Sequence, residues 1–143
     1  MRLAHLLRNQ RAEERGQSVV ELAVVLPIVL LLLFAIVDMG FMFNNWQVVQ
    51  NAARLGATTA ISEGATPQAV VATIEQAAPM SDKGKNPAFQ ITLNPAPPSW
   101  PLTPGSYVSV EITYNYSFIT PFMPALFGGP TYPLSSFDVE RVQ

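Results

Sequence analysis

Arg15-Gly16-Gln17-Ser18-Val19-Val20-Glu21 opens directly onto residues 22–37, a run without a single charged side chain. As a helix, the stretch from Glu21 to Asp38 rises roughly 26 Å, close to the hydrocarbon thickness of a bilayer. The two carboxylates therefore bracket a membrane-length segment, and the span is expected at about residues 20–40. An acid inside a lipid-facing helix costs on the order of 2.5 to 3.5 kcal/mol at the bilayer centre and less near the interface. Hydrophobicity alone would not select Glu21 at the mouth of such a helix, so it calls for a functional reason.

The residues before the run are as informative as the run itself. Residues 1–16 carry Arg2, Arg8, Arg11 and Arg15 against Glu13 and Glu14, and no further arginine occurs until Arg54. Cationic flanks stay on the cytoplasmic side, which predicts a cytoplasmic N-terminus and an outward C-terminal part. A secretory signal is the obvious competitor. Its apolar core runs to roughly 7 to 15 residues and ends in a small-x-small pattern, whereas this run is longer and ends in Asp38-Met39-Gly40. A retained signal anchor, giving an uncleaved single-span binding module of the cell envelope, stays as the alternative.

Composition narrows the classes. The chain has 143 residues, enough for a long helix and one small domain. Hydrophobic residues make up 49% and charged ones 13%, and the mean hydropathy is +0.24, so part of the chain is expected to meet lipid. Beyond Gly16 the bases are Arg54, Lys83, Lys85 and Arg141 against eight acids, a balance of -4. That leaves no basic patch for phosphates, and nucleic acid is not an expected partner. Cysteine is absent, which excludes disulfides and thiolate metal sites.

Outward from the span, residues 39–62 lack proline and are rich in alanine, so the helix is expected to continue over residues 17–62. Val48, Ala52, Leu55 and Thr59 recur at three- and four-residue spacing and offer a face on which a small domain can pack. Thr66-Pro67 then supplies an N-cap and a first-turn proline for a short helix reaching about residue 78. Residues 106–118 alternate strictly: Val108, Val110, Ile112, Tyr114, Tyr116 and Phe118 share one face of a half-buried antiparallel strand. Residues 89–94 and 135–142 are candidate neighbours, with Phe137, Val139 and Arg141 on one face of the last. Proline-rich stretches at 94–98 and 121–133 are expected to stay irregular. The fold class is α+β: a long N-terminal transmembrane helix, and over residues 63–143 a small head with an antiparallel sheet.

Gly16 followed by four uncharged residues and Glu21 resembles the processing site of type IV prepilins. Gly-Gln-Ser-Val-Val-Glu-Leu-Ala-Val-Val-Leu-Pro at residues 16–27, Phe-Ala-Ile-Val-Asp-Met-Gly at 34–40 and Asn-Ala-Ala-Arg-Leu-Gly-Ala at 51–57 are similar to the TadE family of pseudopilins. The resemblance implies a pilin-like fold and a prepilin leader at residues 1–16, cut between Gly16 and Gln17 by a prepilin peptidase. It further implies that Glu21 attracts the free N-terminal amine of a neighbouring subunit and sets its axial register. The partners implied are other pilins or pseudopilins, the pilus assembly platform and inner-membrane lipid, with the surface pilus as a further destination. Where many type IV pilins carry phenylalanine after the cut, this chain has Gln17.

Other residues read more plainly. Pro27 leaves the carbonyl of Ala23 without its helical donor and is expected to kink or soften the span. Asp38 and Gly40 mark the outer membrane boundary. Asp38 and Arg54 are candidate subunit contacts, and Arg54 also suits a solvated helix position. His5 lies in the leader. Glu111 and Asp138 are expected to face solvent, and the aromatic set Tyr107, Tyr114, Tyr116, Phe118, Phe122 and Phe127 to form a small core or a subunit surface. No triad, phosphate loop or metal-ligand spacing can be assembled, so neither enzymatic activity, a cofactor nor a metal is expected.

Overall fold

The computed structural model describes residues 2–81, 84–96 and 99–143, with side chains from Gln17 onward. Helix α1 runs Arg2–Ala60 and is followed by α2 (Pro67–Ala77), a 3-10 turn at Pro79–Ser81, β1 (Phe89–Asn94), β2 (Tyr107–Ser117), α3 (Met123–Phe127) and β3 (Thr131–Arg141). The strands form one antiparallel sheet in the order β1-β2-β3. The architecture is therefore the expected α+β one. The chain divides into two compact units, Met1–Val37 and Asp38–Gln143.

The first unit is helix throughout its described length. α1 passes through Pro27 without interruption, so the missing donor there does not melt the helix. The helix also starts before Gly16, at Arg2, where leucine, arginine, alanine and glutamate are all good helix formers.

The second unit begins at Asp38, and the C-terminal half of α1 is part of its core. The buried face of this half is Val49, Ala52, Ala53, Ala57 and Ala60, whereas Leu55 is exposed. The expected stripe at Val48, Ala52, Leu55 and Thr59 is thus displaced by one position. Close approach, rather than side-chain bulk, selects the face. A Cβ at Gly56 would lie 2.7 Å from Ile74 Cδ1 and 3.3 Å from Val110 Cγ1, so small residues let α2 and the sheet settle onto the helix backbone. Val49, Val70, Ile74, Phe89, Val108, Val110 and Ile112 complete this core, each large apolar side chain contributing about 1.5 to 3 kcal/mol on burial. At the end of α1 the hydroxyls of Thr59 and Ser62 donate to the carbonyls of Leu55 (2.8 Å) and Thr58 (3.3 Å), occupying acceptors near the helix terminus.

Thr66 caps α2 as expected: its Oγ1 accepts from Ala69 N at 3.2 Å and Pro67 fills the first turn. β2 is the central strand, and its alternation places Val108, Val110, Ile112 and Tyr116 in the core. β3 begins at Thr131, four residues before the expected start, because Pro133 is tolerated inside it. Asn115, opposite Pro133, donates its amide to Ala88 O at 2.8 Å on the β1 side. The Asn115 and Pro133 pair is therefore a non-hydrogen-bonded one, and the proline's missing N–H falls on the open edge.

The same register corrects the reading of Asp138. Pairing with Val110 puts Asp138 on the inner face, half-buried, with its Oδ1 accepting from Val139 N at 2.9 Å, while Glu111 is exposed as expected. Phe137 and Val139 share the outer face with Tyr107, and all three are exposed. One strand step exchanges every side chain between faces, so β2, the more strongly patterned strand, dictates the orientation of β3.

Candidate functional site

Within the second unit the most unusual side chain is Asp38, which is 1% exposed. Its Oδ1 accepts from the Tyr116 hydroxyl at 3.2 Å and from Ile119 N at 2.9 Å. Its Oδ2 accepts from Thr120 N at 3.0 Å and from the Thr120 hydroxyl. Four donors match the roughly four lone-pair sites of a carboxylate, so the anion is saturated by its own chain. Burial of a charge is tolerable only on such terms.

The arrangement follows from β2. Alternation carries Tyr116 inward, and its hydroxyl reaches the start of this unit's helix. The strand ends at Ser117, and the chain then turns so that two consecutive amides, at residues 119 and 120, converge on the carboxylate. Burial pushes the Tyr116 hydroxyl up to about 12, and the negative charge and hydrogen bond of Asp38 add to that shift, so it remains a donor at all ordinary pH. An edge-to-face contact of Tyr116 with Phe118 (5.8 Å between ring centroids) braces it, and Phe118 in turn stacks near Phe127 at 5.1 Å.

Sequence reading placed Asp38 at a membrane boundary and did not see these partners, which lie 78 to 82 residues away. The available signal was indirect. Asp38 is followed by residues 39–53, which contain no base, so no salt-bridge partner is available to it there.

The residues singled out in the span sit in the first unit. Glu21 is exposed, and its Oε1 accepts from Gln17 Nε2 at 3.3 Å, a one-turn contact between the residue after the expected cut and the acid. Gly16 and His5 lie outside the residues whose side chains are described. Val19, Val20, Leu22 and the large apolar residues up to Val37 are exposed, from 42% at Leu30 to 65% at Val19, so this helix presents an uncovered apolar surface. Arg54, in the second unit, is exposed.

Helix Gln17–Ala60 is long and apolar enough to cross a membrane, and its most apolar stretch is uncovered. These features define a class: a small α+β head carried on one apolar helix fit to serve as a single-pass membrane anchor. Residues 16–58 match the family model described as TadE-like protein, so this segment is similar to that family. The matched segment ends within α1, before α2 and the sheet. No curated protein and no solved structure matches the chain.

Proposed function

We propose that the protein is a non-enzymatic minor pseudopilin of tight-adherence pilus assembly. It inserts in the inner membrane with the N-terminus cytoplasmic, loses its leader by prepilin-peptidase cleavage after Gly16, and packs its apolar helix against other pilin helices while the head faces outward. The observation that carries this reading is the exposed Glu21 as the only charge in residues 17–37, within the segment that matches the TadE-like family. Glycine suits a scissile position because its bare backbone admits close approach by an active site. Cleavage there gives Gln17 a cationic amine at the membrane surface, one turn from the acid. Pairing Glu21 with the amine of a neighbouring subunit offsets the cost of holding a carboxylate in an apolar helix.

Mass spectrometry of the protein extracted from membranes tests the first step. In cells that possess the peptidase, the mature N-terminus is expected at Gln17, and a Gly16→Leu variant is expected to keep its leader. An intact leader in those cells would instead favour an uncleaved single-span binding module.

A further inference from the structure

The head carries an apolar loop at one defined end. Residues 118–130 connect β2 to β3, closed by the last ladder pair, Ser117 with Thr131, and by the Phe118 amide donating to Pro130 O at 3.4 Å. α3 sits in this loop and ends at Gly128, whose φ of 77° terminates it. Ile119 is 62% exposed and Leu126 73%, the latter the most exposed large apolar side chain in the described residues. Phe127 and Tyr132 are also exposed. From residue 112 to residue 137 the chain has no charged side chain, and neither does α1 from residue 39 to residue 53.

Position decides what such a surface meets. Within the second unit, α1 from Asp38 to Ala60 rises roughly 33 Å, and the eleven residues of β2 extend about as far. Within this unit Asp38 and Ser117 therefore mark one end, where the chain follows directly on Val37, and Ala60 and Tyr107 mark the other, its distal end. The amides of Ile119 and Thr120 lie within 3.0 Å of the Asp38 carboxylate, so the loop is fixed within hydrogen-bond distance of the first residue after the run. Beside it, Met39, Met42, Phe43, Trp46, Tyr132 and Leu134 line an almost wholly apolar groove of about 230 Å³. Aromatic and apolar side chains without charge, at the level where a span ends, are what the interfacial region of a bilayer accepts.

We infer that the loop of residues 118–130 rests in the bilayer leaflet on the head's side, with Ile119, Leu126 and Phe127 entering the boundary between headgroups and acyl chains. The protein thus has a second membrane contact, which rests on the membrane-span reading of the N-terminal helix. It holds the head down on the lipid surface. The four donors around Asp38 also stand in for the hydration that a carboxylate at this depth loses.

The chain has no cysteine, so single-cysteine variants take one nitroxide label each. Leu126→Cys, Ile119→Cys, Leu31→Cys in the span and Thr103→Cys at the distal end are reconstituted as full chains in phosphatidylethanolamine and phosphatidylglycerol vesicles. Oxygen, enriched in lipid, and a water-soluble nickel chelate then report depth by spin relaxation. The ratio of oxygen to chelate accessibility is expected to be several-fold higher at residues 126 and 119 than at 103, and highest at 31. A deep reading at 31 with residues 126 and 119 as aqueous as 103 overturns the inference alone. An aqueous reading at 31 overturns the membrane span and the inference together. Broadening at 126 that disappears on dilution with unlabelled protein assigns the patch to a second copy and likewise overturns the inference.

Discussion

Replacing Asp38 by alanine removes the acceptor of four donors at once, and the consequence can be worked from the geometry. Each donor to a charged acceptor is worth about 1.5 to 3 kcal/mol, but the four are not additive because they share one anion. The buried Tyr116 hydroxyl, the Thr120 amide and hydroxyl, and the half-buried Ile119 amide lose their partner together. Each buried neutral donor left without a partner costs about 1 to 3 kcal/mol, so the three buried ones together cost at least about 3 kcal/mol. Against the roughly 5 to 15 kcal/mol that holds a small domain together, that is about a fifth of the total or more.

The variants grade the effect. Tyr116→Phe removes one donor and leaves the other three, so a loss of about 1.5 to 3 kcal/mol is expected. Asp38→Asn keeps one oxygen but turns an amide donor toward existing donors, and its loss should fall between the two. In the double variant Asp38→Ala, Tyr116→Phe, the tyrosine change should cost less than it does alone, because its acceptor is already gone. Thermal unfolding of the full chain in detergent, followed by near-ultraviolet circular dichroism, measures the ranking, and limited proteolysis of residues 118–130 reports whether the loop is released. An alanine variant with an unchanged Tm and an unchanged digestion pattern would refute the reasoning, as would strict additivity of the pair.

Three further outcomes are expected. Tyr116 binds its proton more tightly in the folded chain (to about 12) than in the unfolded chain (10.0), so stability is unaffected below pH 10 and falls as pH rises from 10 to about 12; the difference in Tm between wild type and Tyr116→Phe across that window checks it. Gly56→Val drives a side chain into Ile74 and Val110 and should cost about 1 to 3 kcal/mol, whereas Gly40→Ala, with nothing within 4 Å of the new carbon, should gain up to about 1 kcal/mol of helix propensity, both read as shifts in Tm. Glu21→Ala should leave insertion and leader removal intact but weaken co-purification with partner pilins, and unchanged co-purification counts against a register role.

Local chemistry was legible in the sequence where one short pattern decides one element. Thr66-Pro67 fixed the start of α2, and the alternation from Val108 to Tyr116 fixed both the length and the facing of β2. Patterns that depend on a partner were not. The packed face of α1 is set by how near Ile74 can come to Gly56, and apolar periodicity weights Leu55 over glycine and so points one position aside. Pro133 read as a loop residue because the parity of its pairing with Asn115 is known only once β1 is in place. Asp38 is the extreme case: its role comes entirely from residues 78 to 82 positions further along the chain.

The two carboxylates that bracket the apolar run now separate by their unused bonding capacity. Asp38 has four donors from its own chain and is 1% exposed, so it has no acceptor site left for a neighbour. Glu21 has one long contact with Gln17 and is exposed within an apolar surface, a state that costs free energy in lipid until a cation meets it. A bond of 3.3 Å from a neutral amide is weaker than a charge-assisted one, so a cationic amine from outside the chain displaces it at little cost. Of the two acids, the one held by the head serves folding, and the one left unsatisfied is the acid with a reason to seek another subunit.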